Sequence, residues 1–167
     1  MTGPHKHTDP SHQPRRDRMY EEHVQDPYLA RGKPPEPTAC PDCGAVFHKG
    51  RWQWGEAPEK AHAHRCPACQ RIHDRVPAAE LILEGEFFTA HRDEITHLIR
   101  HIETKEKAEH PLERIMEERN EGGHLVISFT SQHLARGAGD AVHHAYQGKL
   151  EIRASERDGV LRVTWRR

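Results

Sequence analysis

Apolar positions recur with a clear period only in the second half of the chain. Ala79 to Phe88 places Leu81, Leu83 and Phe87 on one face and Ile82 and Phe88 on the other, which predicts a strand. From Thr89 the period lengthens: Ile95, Leu98, Ile99 and Ile102 recur at three and four, an amphipathic helix reaching about Ala108. His110-Pro111 interrupts it. Pro111 can open a second helix carrying Leu112, Ile115 and Met116, which Gly122 and Gly123 would end. His124 to Phe129 is β-rich. Thr130 or Ser131 can cap a helix whose stripe is Leu134, Ala138, Ala141, Val142 and Ala145, with Gly148 as its stop. Leu150 and Ile152 alternate with polar residues, Arg157-Asp158-Gly159 supplies a turn, and Val160 to Trp165 alternates again, a terminal hairpin. Residues 78–167 therefore read as a small α/β sandwich of order β-α-α-β-α-β-β.

The first half lacks this regularity. Residues 1–38 hold seven of the twelve prolines and scattered apolar residues, and they read as a disordered tail. Its Arg15, Arg16 and Arg18 and its His5, His7 and His12 fit a solvated, flexible segment better than a binding site. Residues 39–77 are too few to fold on an apolar core and need a staple. The expected class is α+β: tail 1–38, a four-cysteine zinc ribbon over 39–77, and the α/β domain.

Composition narrows the function. Mean hydropathy is -0.95. No run approaches the roughly 18 apolar residues of a membrane span, and the first ten residues lack the apolar stretch of a secretory signal, so a cytoplasmic protein is expected. The formal net charge of -1 argues against nucleic-acid binding by bulk charge. Six Lys/Arg face four Asp/Glu over residues 39–78, against thirteen and sixteen over 79–167. Affinity for phosphate belongs to the first region.

That region holds Cys40-Pro41-Asp42-Cys43-Gly44 and Cys66-Pro67-Ala68-Cys69. Two residues between cysteines let one tight turn aim both sulfurs at one ion. Proline presets φ, and Gly44 lets the backbone turn with φ above zero. Two such turns make a tetrahedral four-sulfur site suited to one structural zinc ion, with the 22-residue spacer 44–65 forming a small hairpin. Disulfides do not fit a chain without a secretion signal, and the spacing lacks the usual ferredoxin runs. His48, His62, His64 and His73 are surplus to a filled shell.

The spacer also carries His48-Lys49-Gly50-Arg51-Trp52-Gln53-Trp54, cations interleaved with rings, a pattern used to bind single-stranded RNA. Strand alternation puts Trp52 and Trp54 on one face, where they can form the module's miniature core, and leaves Lys49 and Arg51 on the other. The charge-dense run Glu103 to Glu121, Arg114 included, reads as solvated i,i+4 pairs. Ser128 and Ser131 lack a nucleophile's setting. His97, His101, His143 and His144 have no accompanying nucleophile, phosphate loop or catalytic metal pattern, so no enzyme is indicated. Convergence of His91, Glu94, His97 and His101 in one pocket would reverse that.

Four segments carry a resemblance: Cys40 through Trp54, Cys66 through Ile72, Glu84 through Ile95, and Glu109 through Ile115. Over residues 39–167 the chain resembles a family of small bacterial zinc-ribbon proteins of unassigned function. These are distantly similar to the archaeal and eukaryotic ribosomal export adaptor of the large subunit, whose zinc pairs precede RNA-binding α/β domains. The chain lacks the adaptor's length and further domains. The resemblance implies a ribosome- or RNA-associated protein and no catalytic residue. The resulting expectation is a non-enzymatic zinc protein that contacts ribosomal or other structured RNA through Lys49, Arg51, Trp52, Trp54 and Arg65. The alternative is a protein–protein adaptor acting through the acidic α/β domain. Neither requires a membrane or a small-molecule substrate.

Overall fold

The computed structural model describes residues 26–29 and 32–167. The tail cations Arg15, Arg16 and Arg18 and the histidines His5, His7 and His12 lie outside the described residues. The fold is α+β, with helices and two mixed sheets.

The first sheet is built from β1 (Thr38–Ala39), β2 (Val46–His48), β3 (Arg51–Gln53) and β4 (His62–Ala63), in the order β3-β2-β1-β4. β1 runs antiparallel to β2 and parallel to β4. The expected hairpin between the cysteine pairs is β2–β3, closed by Lys49 and Gly50, both at positive φ (51° and 77°), the geometry of a two-residue hairpin turn. The carboxylate of Glu36 holds that turn, accepting from the backbone N–H groups of Lys49 and Gly50 at 2.9 and 2.8 Å. Helix α1 (Pro67–Asp74) follows β4.

The second sheet contains β5 (Ala79–Glu84), β6 (Ile115–Glu121), β7 (His124–Phe129), β8 (Lys149–Ala154) and β9 (Leu161–Arg166), in the order β6-β7-β5-β9-β8. Only β5 and β9 pair in parallel. The long helices α3 (Arg92–Glu109) and α4 (Gln132–Tyr146) bury Ile95, Ile99, Leu134, Ala138 and Val142 against Leu81, Ile127, Val163 and Trp165. Ser131 caps α4 as expected, accepting from the Leu134 N–H at 3.3 Å. α4 lies so close to the sheet that a Cβ on Gly139 would stand 2.6 Å from Val163 Cγ1.

Two expected elements differ. The first strand stops at Glu84, because Gly85 turns the chain with φ at +105° and leads into the short helix α2 (Glu86–Ala90). The carbonyl of Arg167 accepts from the N–H groups of Phe87 and Phe88 at 2.9 and 3.3 Å, so the donors that start α2 are satisfied across the sheet end. The second correction is larger: the helix expected from Pro111 is the strand β6. Leu112, Ile115 and Met116 have helical spacing, but Gly122-Gly123 is a hairpin turn rather than a helix stop, and Glu121 pairs with His124 across it. A bulge at Met116, between the paired Ile115 and Glu117, breaks the alternation that would have marked a strand. β6 is an edge strand, which explains its charges. The observed order from residue 79 is thus β-α-α-β-β-α-β-β, with both early helices before residue 110.

Candidate metal centre

The first cysteine pair sits in a turn fixed from both sides. The Cys40 N–H donates to the Ala45 carbonyl at 2.8 Å, and the Gly44 N–H donates to the Cys40 carbonyl at 2.9 Å. Gly44 takes φ of +80°, the freedom its place in the sequence anticipated. The second pair is built differently from the expected turn. Cys66 is the N-cap of α1, Pro67 is its first residue, and the Cys66 sulfur accepts from the Cys69 N–H at 3.4 Å. A helix N-terminus carries partial positive charge, which favours a thiolate there.

These two supports bring all four sulfurs within 4.8 Å of one another. Cys43 Sγ lies 3.8 Å from Cys66 Sγ. A tetrahedral ion with metal–sulfur bonds of about 2.3 Å requires sulfurs about 3.8 Å apart. Cys40, Cys66 and Cys69 are buried and Cys43 is half-buried. Backbone N–H groups point at the sulfurs as thiolates require, from Cys66 to Cys40 at 3.3 Å and from Ala45 to Cys43 at 3.5 Å.

One ligand-supporting residue was not anticipated. Arg114, read from the sequence as part of a solvated charged run, is buried, and its guanidinium faces the sulfurs. Nη1 donates to Cys69 Sγ at 3.3 Å and Nη2 reaches Cys66 Sγ at 3.7 Å. Its stem is clamped: Nε donates to the Pro111 carbonyl at 2.7 Å, and its backbone N–H donates to Thr130 Oγ1 at 2.9 Å. Thr130 Oγ1 in turn donates to the Leu112 carbonyl at 2.6 Å, and Leu112 packs against the cysteine cluster.

The electrostatics call for a cation at the centre. Burial pushes the thiols of Cys66 and Cys69 up; the other three sulfurs add to the rise at Cys66, while Arg114 and the contact with Cys66 partly offset it at Cys69. Cys43 is also opposed by burial, but the Ala45 N–H and the Arg114 guanidinium outweigh it and hold its pKa down to about 7. Burial works against the charge on Arg114, and its contacts with the cysteine sulfurs more than reverse that. A metal ion at the centre would favour the thiolate form of all four. Residues Cys40, Cys43, Cys66 and Cys69 would hold it, and the shell is full.

The other expected site residues are distributed as follows. Trp52 is half-buried, packs on the cysteine cluster and meets Phe47 with ring centroids 5.5 Å apart. Trp54 lies just past β3 and donates from Nε1 to the Lys107 carbonyl of α3 at 2.6 Å. Lys49 and Arg51 are exposed, and among the described residues neither makes a salt bridge. Arg65 is paired with Asp42. His48, His62, His64 and His73 stand outside the sulfur cluster. His91 meets Glu94 at 3.4 Å and stacks on Phe87, while His97 and His101 lie exposed on α3.

No family model, curated protein or solved structure matches this chain. No helix among the described residues is long and apolar enough to cross a membrane.

Proposed function

We propose that the chain is a non-enzymatic zinc protein that associates with ribosomal or other structured RNA. Four clustered sulfurs favour zinc or iron, and four sulfur ligands would leave no position for a substrate. The RNA reading is supported above all by the hairpin β2–β3. Lys49 and Arg51 project from it without salt bridges among the described residues, beside Trp52 and Trp54. The outer face of the large sheet offers a contrast: Arg119 and Arg162 are both tied to Glu80, and Arg166 to Glu84. Those cations are taken by carboxylates, whereas the hairpin's two are not. Elemental analysis should return one zinc per chain with no visible iron–sulfur absorbance. Tagged protein should co-migrate with ribosomal particles on sucrose gradients and yield RNA after crosslinking. Loss of both signals would remove the RNA reading.

A second reading, a protein–protein adaptor, is favoured by one observation. Ile72 and Val76 are exposed at 39% and 41% where α1 approaches the large sheet, and Ile72 lines a hollow of about 340 Å³ with Pro77 and Met116. A pulldown whose partners survive nuclease treatment would support it.

A further inference from the structure

We infer that a cleft between the small sheet and the segment 110–113 is a binding site for unpaired nucleotides of an RNA strand. This deepens the RNA reading and rests on it. The cleft has a volume of about 1060 Å³, at or above the upper end of the roughly 300–1,000 Å³ usual for small-molecule sites. That volume suits several linked groups rather than one.

Register shows what lies on one wall. Trp52 pairs with Phe47, Phe47 with Thr38, and Thr38 with His62. Residues in one cross-strand row share a face, so Trp52, Phe47 and His62 form a row across the sheet, and all three line the cleft. His110 lines it from the opposite wall. Phe47 is buried and backs Trp52 within that row, so the rings left for bases are those of the half-buried Trp52 and the exposed His62 and His110; bases stack on any aromatic face and thereby tolerate many sequences.

Charge completes the match. Lys33 and Arg51 line the cleft without salt bridges among the described residues; Arg65 is held by Asp42, and Glu113 is the only carboxylate in the lining. Lys33 Nζ lies 3.7 Å from the position a Cβ would take on Gly50, which places it beside the hairpin turn, near Arg51 in the sequence. Two cations in the lining of the same cleft, without salt bridges among the described residues, suit a phosphodiester strand with its bases turned inward. A duplex hides its base faces and cannot use the wall.

The test uses the full zinc-loaded chain and a fluorescein-labelled six-nucleotide oligouridylate, followed by anisotropy, with a duplex of equal length as comparison. The single strand should bind at least tenfold more tightly than the duplex. The double variant Lys33→Ala, Arg51→Ala should weaken it at least tenfold. Its salt dependence should fall by about 1.4 in slope, two contacts at roughly 0.7 each for a single strand. Lys149→Ala on the far edge of the large sheet should change neither. His62→Ala, exposed and outside the sulfur cluster, should weaken binding while leaving thermal stability unchanged. Equal affinity for the duplex, displacement by polyglutamate as efficient as by oligouridylate, or unchanged binding by the double variant would overturn the cleft assignment. If the double variant still co-migrates with ribosomal particles, the cleft fails while the RNA reading stands. If the parent protein binds neither oligonucleotide nor particles, both fail.

Discussion

Arg114 offers the sharpest test of how the metal centre is held. Replacing it by Met keeps an unbranched stem of similar reach and removes the guanidinium. Two contacts to sulfur disappear, at 3.3 Å to Cys69 and 3.7 Å to Cys66, together with the 2.7 Å bond to the Pro111 carbonyl. A hydrogen bond to a charged group is worth about 1.5–3 kcal/mol. The longer contact is weak, so the sulfur side loses about 2 kcal/mol. At about 1.4 kcal/mol per tenfold, zinc binding should weaken about 30-fold, within the range of roughly 10–100-fold typical of groups that support ligands. The loss has a definite sign, because four thiolates around zinc carry -2 and the guanidinium is the buried positive charge beside them. Leaving the Pro111 carbonyl unpaired costs a further 1–3 kcal/mol or so, but this should appear as reduced thermal stability and not as metal affinity. Competition against a chromophoric chelator measures the first quantity and a melting curve the second. Arg114→Lys retains the charge without the planar fork and should recover only part of the affinity. An Arg114→Met protein that binds zinc within threefold of the parent would refute the reasoning.

Three other perturbations probe separate features. Cys43→Ser removes one ligand; amide exchange should rise over residues 39–74 while β5, β7 and β9 stay protected, and unchanged protection in both regions would rule out a structural metal. Gly139→Ala should cost about 1–3 kcal/mol in denaturant unfolding, because the added methyl meets Val163 Cγ1 at 2.6 Å; a neutral result would mean that α4 can shift freely. The carboxyl of Asp74 is held down to about 2 by His73 first, then by Gln70 and Tyr28. Its contribution to stability is therefore present above the ordinary value of 3.8 and is lost as pH falls through about 2; a carbon-13 titration at the ordinary value would contradict the contact set.

The parts of the fold that were legible in the sequence are those whose causes are local. The cysteine pairs declare themselves because ligand spacing is a property of one turn, and Ser131 declares α4 because a cap acts within three residues. Of the two tryptophans expected in the module's core, Trp52 packs on the cysteine cluster, whereas Trp54 is exposed past β3 and bonds to the Lys107 carbonyl of α3. What was illegible depends on distant partners. β6 is a strand because β7 supplies its hydrogen bonds, while its own residues carry helical spacing and a bulge. α1 was missed because its cap is a cysteine, a residue whose value there comes from the Cys69 N–H and from the metal rather than from ordinary capping preference. Arg114 touches sulfurs 45 and 48 residues away, and nothing near it in the sequence distinguishes it from its solvated neighbours.

That long reach also resolves an apparent conflict of charge. A four-thiolate zinc centre is anionic, yet it is proposed to lie beneath a cleft that receives phosphate. The cluster is not left to project its charge. Arg114 lowers it by one unit from the side of the large sheet, three backbone N–H groups point at its sulfurs, and the N-terminus of α1 abuts Cys66. Lys33 and Arg51 are exposed in the lining of the cleft, and no carboxylate among the described residues claims either in a salt bridge. The thiolates' negative charge is thus partly compensated by Arg114 and by the module's own N–H groups, and Lys33 and Arg51 are not drawn into that compensation. On this account Arg114 has two consequences from one position: it helps retain the metal, and it offsets part of the negative charge that the four thiolates bring.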